Sequence, residues 1–442
     1  MSAAEATGAD SDARLVRALG VRQLAASIFN YTVGSGIFTL PAYAVAKLGG
    51  AAPLAFVACA LAMALVVPCL AEAGSRVAGA GGPYAYIEVA LGPFVGFLSA
   101  VLLLMTGLSA GAAVAVLFAR SVEALIGMHS AWLLRALILG VIGALAGLNI
   151  RGVRTGARII EAVTVAKLVP LIAFVVVGAA FVRLSNLSWG PTPPVSSVLG
   201  TAGLVIFAFS GIESALAPSG EVRNPARTVP RAAFVALGAA TLLYLAIQGV
   251  ALGILGTHLA DDSTAPLAAA AGAVAGPAGR LVLLIGASIS MLGYLSSNLL
   301  SVPRTLFASA RDGFLPSVLS AVHSRYRTPF VAILVYAAVA VALALSGTFE
   351  RLATISNLSA FPLYILSAIA VLVLRRRDVC TDGVPYRVPG GAAIPIAACA
   401  ANLWLILATA GTEDLRGFGA MLGATAVLFA VRAYRNRRAD ST

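Results

Sequence analysis

Val33-Gly34-Ser35-Gly36-Ile37 interrupts the first long apolar run of the chain, and Phe209-Ser210-Gly211-Ile212-Glu213 interrupts another far downstream. Each lies near the middle of a stretch long enough to cross a bilayer, where glycine beside a hydroxyl is out of place in an unbroken helix. A break in hydrocarbon leaves N–H and C=O groups unpaired at several kcal/mol each, so it persists only where it lines a cavity. Two interrupted spans in corresponding places predict a substrate site at mid-membrane. The pattern implies a membrane transporter.

Composition points the same way. Of 442 residues, 60% are hydrophobic and 11% charged, and the mean hydropathy is +0.95. Soluble domains carry about 45–50% apolar and about 25% charged residues. The net charge of +12 resides in arginines scattered between apolar runs. That distribution suits loops facing the cytoplasm and gives no reason to expect nucleic acid. Cys59, Cys69, Cys380 and Cys399 form no CxxC pair, and His129, His258 and His323 stand near span ends without ligand spacing. Neither a disulfide framework, a metal site nor a cofactor is expected. No nucleophile–base pair or paired carboxylates occur at one depth, so no catalytic residue is assigned.

A span needs about 20 residues, and on that rule the chain predicts twelve: 22–46, 51–75, 94–127, 132–150, 158–182, 198–219, 231–256, 279–309, 328–347, 353–374, 392–412 and 417–432. Residues 1–21 lack the apolar segment of a signal peptide and are expected to be a cytoplasmic tail, as are 433–442. With both termini inside, 22 of the 30 lysines and arginines fall on the cytoplasmic side, seven outside, and Lys167 within a span. An error of one span would scramble that asymmetry. The two interruptions recur five spans apart. Units of five begin on opposite sides, so an inverted repeat over 22–182 and 198–374 follows, with two helices (392–432) appended. The expected fold is an all-α, multi-pass protein of the cell membrane.

At this point the chain resembles the amino acid permeases of the amino acid–polyamine–organocation (APC) superfamily. Four stretches carry the resemblance: Gly34-Ser-Gly-Ile-Phe-Thr-Leu-Pro41; Ala80-Gly-Gly-Pro-Tyr-Ala-Tyr86 with Gly92-Pro93; Phe207-Ala-Phe-Ser-Gly-Ile-Glu213 with Gly220-Glu-Val-Arg-Asn-Pro225; and Arg311-Asp-Gly-Phe-Leu-Pro316. It implies a LeuT-like fold with broken helices 1 and 6, and alternating-access transport of amino acids or polyamines.

The site also has a physical rationale. The first half of span 1 ends near Thr32 with free carbonyls, and the second begins near Ile37 with free N–H groups at a positive dipole end. An α-amino acid carries the two matching charges a few Å apart. By the resemblance, the substrate carboxylate sits on the N–H groups of Ser35, Gly36 and Ile37, and its ammonium meets the carbonyls of Thr32, Phe207 and Ser210. Alternatively, these glycines serve close helix packing.

Lys167 lies about nine residues into span 5, roughly 13 Å deep at 1.5 Å per residue, near the midplane of a core about 30 Å thick. Proton-coupled members of the resembled superfamily carry a lysine on span 5, beside span 1 carbonyls and span 8 hydroxyls; here Ser290, Ser296, Ser297 and Ser301 supply the latter. Lys167 is therefore a proton-coupling candidate, with a structural cation or a snorkelling side chain as alternatives. Glu213 either caps the span 6 break or acts as a gate or proton-linked group, as the matching glutamate does in related antiporters. Glu72, Glu88 and Glu161 are expected at span ends, Glu221 and Asp312 in loops, and Pro41, Pro170, Pro218 and Pro303 at kinks.

Substrate choice is less sharply encoded. Trp132, Trp189 and Trp404 fall near span ends or in loops, and Phe207 stands where arginine-exchanging relatives carry tryptophan. Met105, Thr106, Ser109, Gly111, Tyr294 and Asn298 promise a small, mostly apolar lining. The expectation is proton-coupled symport of a neutral L-amino acid, with exchange of amino acids or polyamines as the alternative and a non-transporting sensor behind it.

Overall fold

The computed structural model describes residues 20–77, 82–152, 157–216, 222–311, 313–380 and 384–439, with backbone alone at 157–164 and 433–439. The tails before 20 and after 439, Ala80-Gly81, Pro218, Gly220-Glu221, Asp312 and the Glu161 side chain lie outside the described residues.

The first expected span is two helices, α1 (Val21–Thr32) and α2 (Gly36–Leu48), with Val33–Ser35 between them. After α3 (Pro53–Arg76), the short α4 (Pro83–Leu91) meets the long α5 (Pro93–Ile126) at Gly92. Proline at the first position of α3, α4 and α5 suits a helix start, where the missing N–H is not needed. Two further helices follow, α6 (Ala131–Ile150) and α7 (Ala157–Gly178).

The second interrupted span is α8 (Val195–Val205), a 3-10 turn (Ile206–Ala208) and α9 (Ile212–Ala215). Gly211 at φ +112° makes the bend between the turn and α9, a backbone state that a Cβ disfavours. Beyond it run α10 (Pro225–Leu255), α11 (Pro266–Arg311), α12 (Phe330–Ser346), α13 (Phe349–Arg376), α14 (Ala393–Thr409) and α15 (Thr412–Ala439). No β-strand forms among the described residues. Among the described residues eight helices are long and apolar enough to cross a membrane, and three shorter apolar segments, Val165–Phe181, Phe330–Ser346 and Ala393–Thr409, accompany them.

Two helix starts differ most from the sequence expectation. Span 7 was placed at 231, yet α10 begins at Pro225; its first turns carry Arg227 and Arg231, which hydropathy discounts although a helix end at the membrane rim accommodates them. Span 8 was placed at 279, yet helix starts at Pro266 and bends at Ala275 and Gly276. The alanine-rich arm before the bend is a strong helix former, and Pro277 pushes the residue before it out of helical conformation.

The packing leaves apolar side chains on the outside of the bundle as well as inside it. On α7, Val165, Val169, Ile172 and Val176 are exposed while Lys167, Leu171 and Phe174 are buried. The spacing of each set defines one helix face. In water such an apolar stripe would be an aggregation liability; against lipid it is a solvated face. The opposite face carries Lys167 inward, toward the break in span 1.

Glu72 stands in the last turn of α3, at the span end expected of it, yet away from water. Its carboxylate is fully buried and accepts from Arg76 Nε at 3.0 Å, from Arg375 Nε at 2.8 Å and from the Val388 N–H at 2.7 Å. This ties the ends of α3 and α13 to the segment before α14. Its burial has a simple cause: two arginines from different helices can neutralise one carboxylate, so the group no longer needs water.

Candidate functional site

The two breaks lie against each other. A Cβ on Gly36 would come within 2.8 Å of the Ala208 Cα, and one on Gly211 within 3.1 Å of the Tyr31 carbonyl carbon. Both glycines therefore serve close backbone approach, as the packing reading expects. Gly36→Val would force the two breaks apart, so it cannot isolate substrate binding from structure.

Their orphaned backbone groups form a cavity. It is lined by Tyr31, Thr32, Gly34, Ser35 and Gly36 from span 1, and by Phe207, Ser210, Gly211, Glu213 and Ser214 from span 6. Thr106, Gly107, Ala110 and Val114 of α5, Tyr294 of α11 and Ser356 of α13 complete it. About 20 Å³ is open to the centres of water molecules, room for one or two waters at about 10–15 Å³ each. Ser35 Oγ lines this space, is buried, and has no hydrogen-bond partner among the described residues. With the first N–H groups of α2, which have no acceptor one turn back, it gathers hydrogen-bond donors at one corner of the cavity, an arrangement that suits an anion.

Lys167 holds the opposite end of the break. Its Nζ donates to the carbonyls of Asn30 at 2.7 Å and Val33 at 2.6 Å. Beside it, Ser290 Oγ donates to the carbonyls of Val33 and Gly34, at 3.2 and 3.0 Å. Three free carbonyls at the end of α1 are thus met by one cation and one hydroxyl. No carboxylate pairs with Lys167 among the described residues, so backbone dipoles alone balance its charge. Of the other serines on α11, Ser297 and Ser301 engage Tyr31, through the Ser297 carbonyl at 3.0 Å and the Ser301 hydroxyl at 2.6 Å.

Glu213 bends back over the span 6 break. Both carboxylate oxygens accept from the Gly211 N–H at 3.1 Å, and Oε2 also accepts from Tyr364 Oη at 2.9 Å. It thereby caps the break while lining the cavity, with no cationic partner among the described residues.

The predicted residues divide accordingly. Thr32, Ser35, Gly36, Phe207, Ser210 and Glu213 line the cavity; Ile37 is buried at the start of α2, and Lys167 stands behind the wall. Asn298 is not in the lining. Its amide donates to the Gly107 carbonyl at 3.2 Å and to Tyr294 Oη at 3.4 Å, and its oxygen accepts from Tyr336 Oη. Those bonds commit it to holding α5, α11 and α12 together. On α5 Thr106 lines the cavity as expected, and Gly107, Ala110 and Val114 join it in place of Met105, Ser109 and Gly111.

Tyr244 of α10 was not foreseen. Its buried hydroxyl stands 2.8 Å from the Thr32 carbonyl and 2.8 Å from the Ala208 carbonyl. One phenolic proton thus serves one acceptor from each broken span. A tyrosine inside an apolar run gives no sign of this, because both acceptors are backbone atoms.

Broken spans whose orphaned groups converge on a small buried cavity, in a bundle of apolar helices, define a membrane transporter. The chain belongs to the amino acid permease family of the APC superfamily: that family's model, described as amino acid permease, matches residues 19–424. An uncharacterised transporter of Mycobacterium tuberculosis is 31% identical, covering 97% of this chain and 94% of its own. A methylthioribose transporter of Bacillus subtilis is 28% identical over 91% of this chain and 90% of its own. A serine/threonine exchanger of the same organism is 28% identical over 93% and 95%. The protein is accordingly a multi-pass membrane transporter for amino acids and not an enzyme.

Proposed function

We propose that this permease is a proton-coupled symporter of neutral L-amino acids working by alternating access. The observation that carries the reading is Lys167 Nζ on the carbonyls of Asn30 and Val33. Charge-assisted hydrogen bonds are roughly twice as strong as neutral ones, so loss of the ammonium proton would weaken the grip of α7 on the end of α1. Proton release and movement of the broken span would then be one event. The amino acid carboxylate would occupy the corner made by Ser35 and the N–H groups of Gly36 and Ile37. Its ammonium would face the carbonyls of Phe207 and Ser210, to which no described group donates. Thr32 is a weaker partner, because its carbonyl already accepts from Tyr244 Oη at 2.8 Å and from the Gly34 N–H at 2.9 Å. Glu213 would gate the cavity or relay the proton.

The neutral preference rests on Thr106, Gly107, Ala110, Val114 and Ser356, which add no charge to the lining. In the membrane, we place twelve spans as a five-plus-five inverted repeat with two appended helices and both termini in the cytoplasm. That arrangement is supported by two breaks five spans apart and by the distribution of arginine.

Exchange of amino acids is the second reading, favoured by the serine/threonine exchanger among the relatives. Uptake of a labelled neutral amino acid panel into proteoliposomes separates the two. Symport requires stimulation by an inward proton gradient with empty vesicles; dependence on preloaded amino acid, indifferent to pH, would contradict it.

A further inference from the structure

The end of α6 and the start of α12 meet at one rim of the bundle. α6 ends at Ile150 and α12 begins at Phe330, and the Thr328 hydroxyl donates to the Ile150 carbonyl at 2.7 Å. A Cβ on Gly152 would lie 3.5 Å from the Tyr326 carbonyl oxygen, so the chain leaving α6 runs against the turn that enters α12. That turn is fixed from within by His323. Its N–H donates to the Thr328 carbonyl and its carbonyl accepts the Arg327 N–H, both at 2.9 Å. Its Nδ1 accepts from the N–H groups of Arg325 and Tyr326 at 3.2 and 3.3 Å. Arg327 is held at φ +55°, a left-handed state that favours glycine. Glycine would hold this backbone with less strain; what arginine adds is its guanidinium.

The rim gathers charge without neutralising it. Arg151, Arg325 and Arg327 are all exposed, and none has an ion-pair partner among the described residues. Arg325 lies over the Tyr326 ring, 5.5 Å from its centroid, a contact that orients the guanidinium and keeps its charge. Neither 124–160 nor 313–349 contains an aspartate or glutamate. Apolar surface borders these charges. Val318 and Val322, 62% and 47% exposed, precede the arginines, and Leu148 and Leu334 are exposed on the two helices. A soluble phosphate would engage the arginines alone, whereas a phospholipid engages them with its headgroup and the apolar flanks with its acyl chains.

We propose that this rim binds one anionic phospholipid. The phosphate sits on Arg325 and Arg327 with Arg151 beside them, and the acyl chains run along Leu148 and Leu334. In the orientation proposed above, the rim faces the cytoplasmic leaflet, where anionic lipids attract clustered arginines. Bound there, the lipid joins the ends of α6 and α12.

Native mass spectrometry of the purified full-length protein, titrated in detergent with phosphatidylglycerol, tests this. Arg325→Gln with Arg327→Gln is compared with Arg376→Gln with Arg387→Gln, a pair of exposed arginines elsewhere, and melting temperature checks that each variant is folded. The first pair is expected to weaken binding of the first phosphatidylglycerol at least about tenfold, and the second less than about twofold. Equal weakening by both would reduce the site to the general positive charge of the protein, and no weakening by the first would remove it; either overturns the proposal. Glycerol 3-phosphate that binds as tightly as phosphatidylglycerol also overturns it, since the acyl chains would then contribute nothing. A second readout needs no variant. In nanodiscs, amide exchange over 317–328 in the wild type is expected to be at least about threefold slower in phosphatidylglycerol than in phosphatidylcholine; equal exchange in the two lipids overturns the proposal. Neither readout involves transport or depends on which way the chain is inserted.

Discussion

The ammonium of Lys167 lies 2.6 Å from the carbonyl oxygen of Val33, the residue at which the first span stops being a helix. A lysine near the centre of a membrane costs about 2.5–3.5 kcal/mol on insertion scales, and unpaired carbonyls in hydrocarbon cost several more. Each defect relieves the other. Span 1 can break here because span 5 supplies a cation, and the cation can be buried because span 1 is broken.

The same logic applies to Tyr244, whose single proton serves the carbonyls of Thr32 and Ala208. Tyr244→Phe keeps the ring and its edge-on packing with Phe209, at 5.0 Å and 84°. Stability is expected to fall by about 0.5–1.5 kcal/mol, the net worth of one hydrogen bond. KM should rise severalfold while the maximal rate holds, because the carbonyls bordering the site lose their alignment. A variant with wild-type KM would remove Tyr244 from the site.

How far the sequence reaches depends on what kind of atom does the work. The breaks at Gly34–Gly36 and Ser210–Gly211, and the lone intramembrane lysine, are side-chain anomalies in apolar runs and stand out without any structure. Tyr244 and Tyr364 do not stand out, because a buried aromatic is ordinary and its partner is invisible until the helices are packed. Asn298 shows the converse: a polar residue at the right depth whose bonding capacity is spent on neighbouring helices. On α5 the face was misjudged by a residue, since a helix that is apolar all round carries no clear orientation.

Glu213 separates capping from charge. Glu213→Gln retains an acceptor for the Gly211 N–H and for Tyr364, so thermal stability should stay close to wild type. Glu213→Ala leaves both donors unpaired in a buried site, at about 1–3 kcal/mol, and should melt lower. Transport by Glu213→Gln that has lost its pH dependence would mark the carboxylate as proton-linked; an unchanged pH profile would leave it as a cap.

The Glu72 cluster is a structural lock. Glu72→Gln removes the charge that neutralises Arg76 and Arg375, and breaking one partner of a buried ion pair costs about 3–5 kcal/mol. Purified Glu72→Gln in detergent should therefore show a clearly lowered melting temperature, or a much reduced yield of monodisperse protein. Wild-type thermal stability in this variant would contradict the assignment.

Lys167 offers the most direct test of the whole account. Wild-type and Lys167→Ala proteins, reconstituted in parallel, would be given a labelled neutral amino acid with and without an inward proton gradient. The account predicts gradient-stimulated uptake in the wild type, and its loss by at least about tenfold, equivalent to about 1.4 kcal/mol, in the variant. Gradient-driven uptake that survives in Lys167→Ala would contradict it.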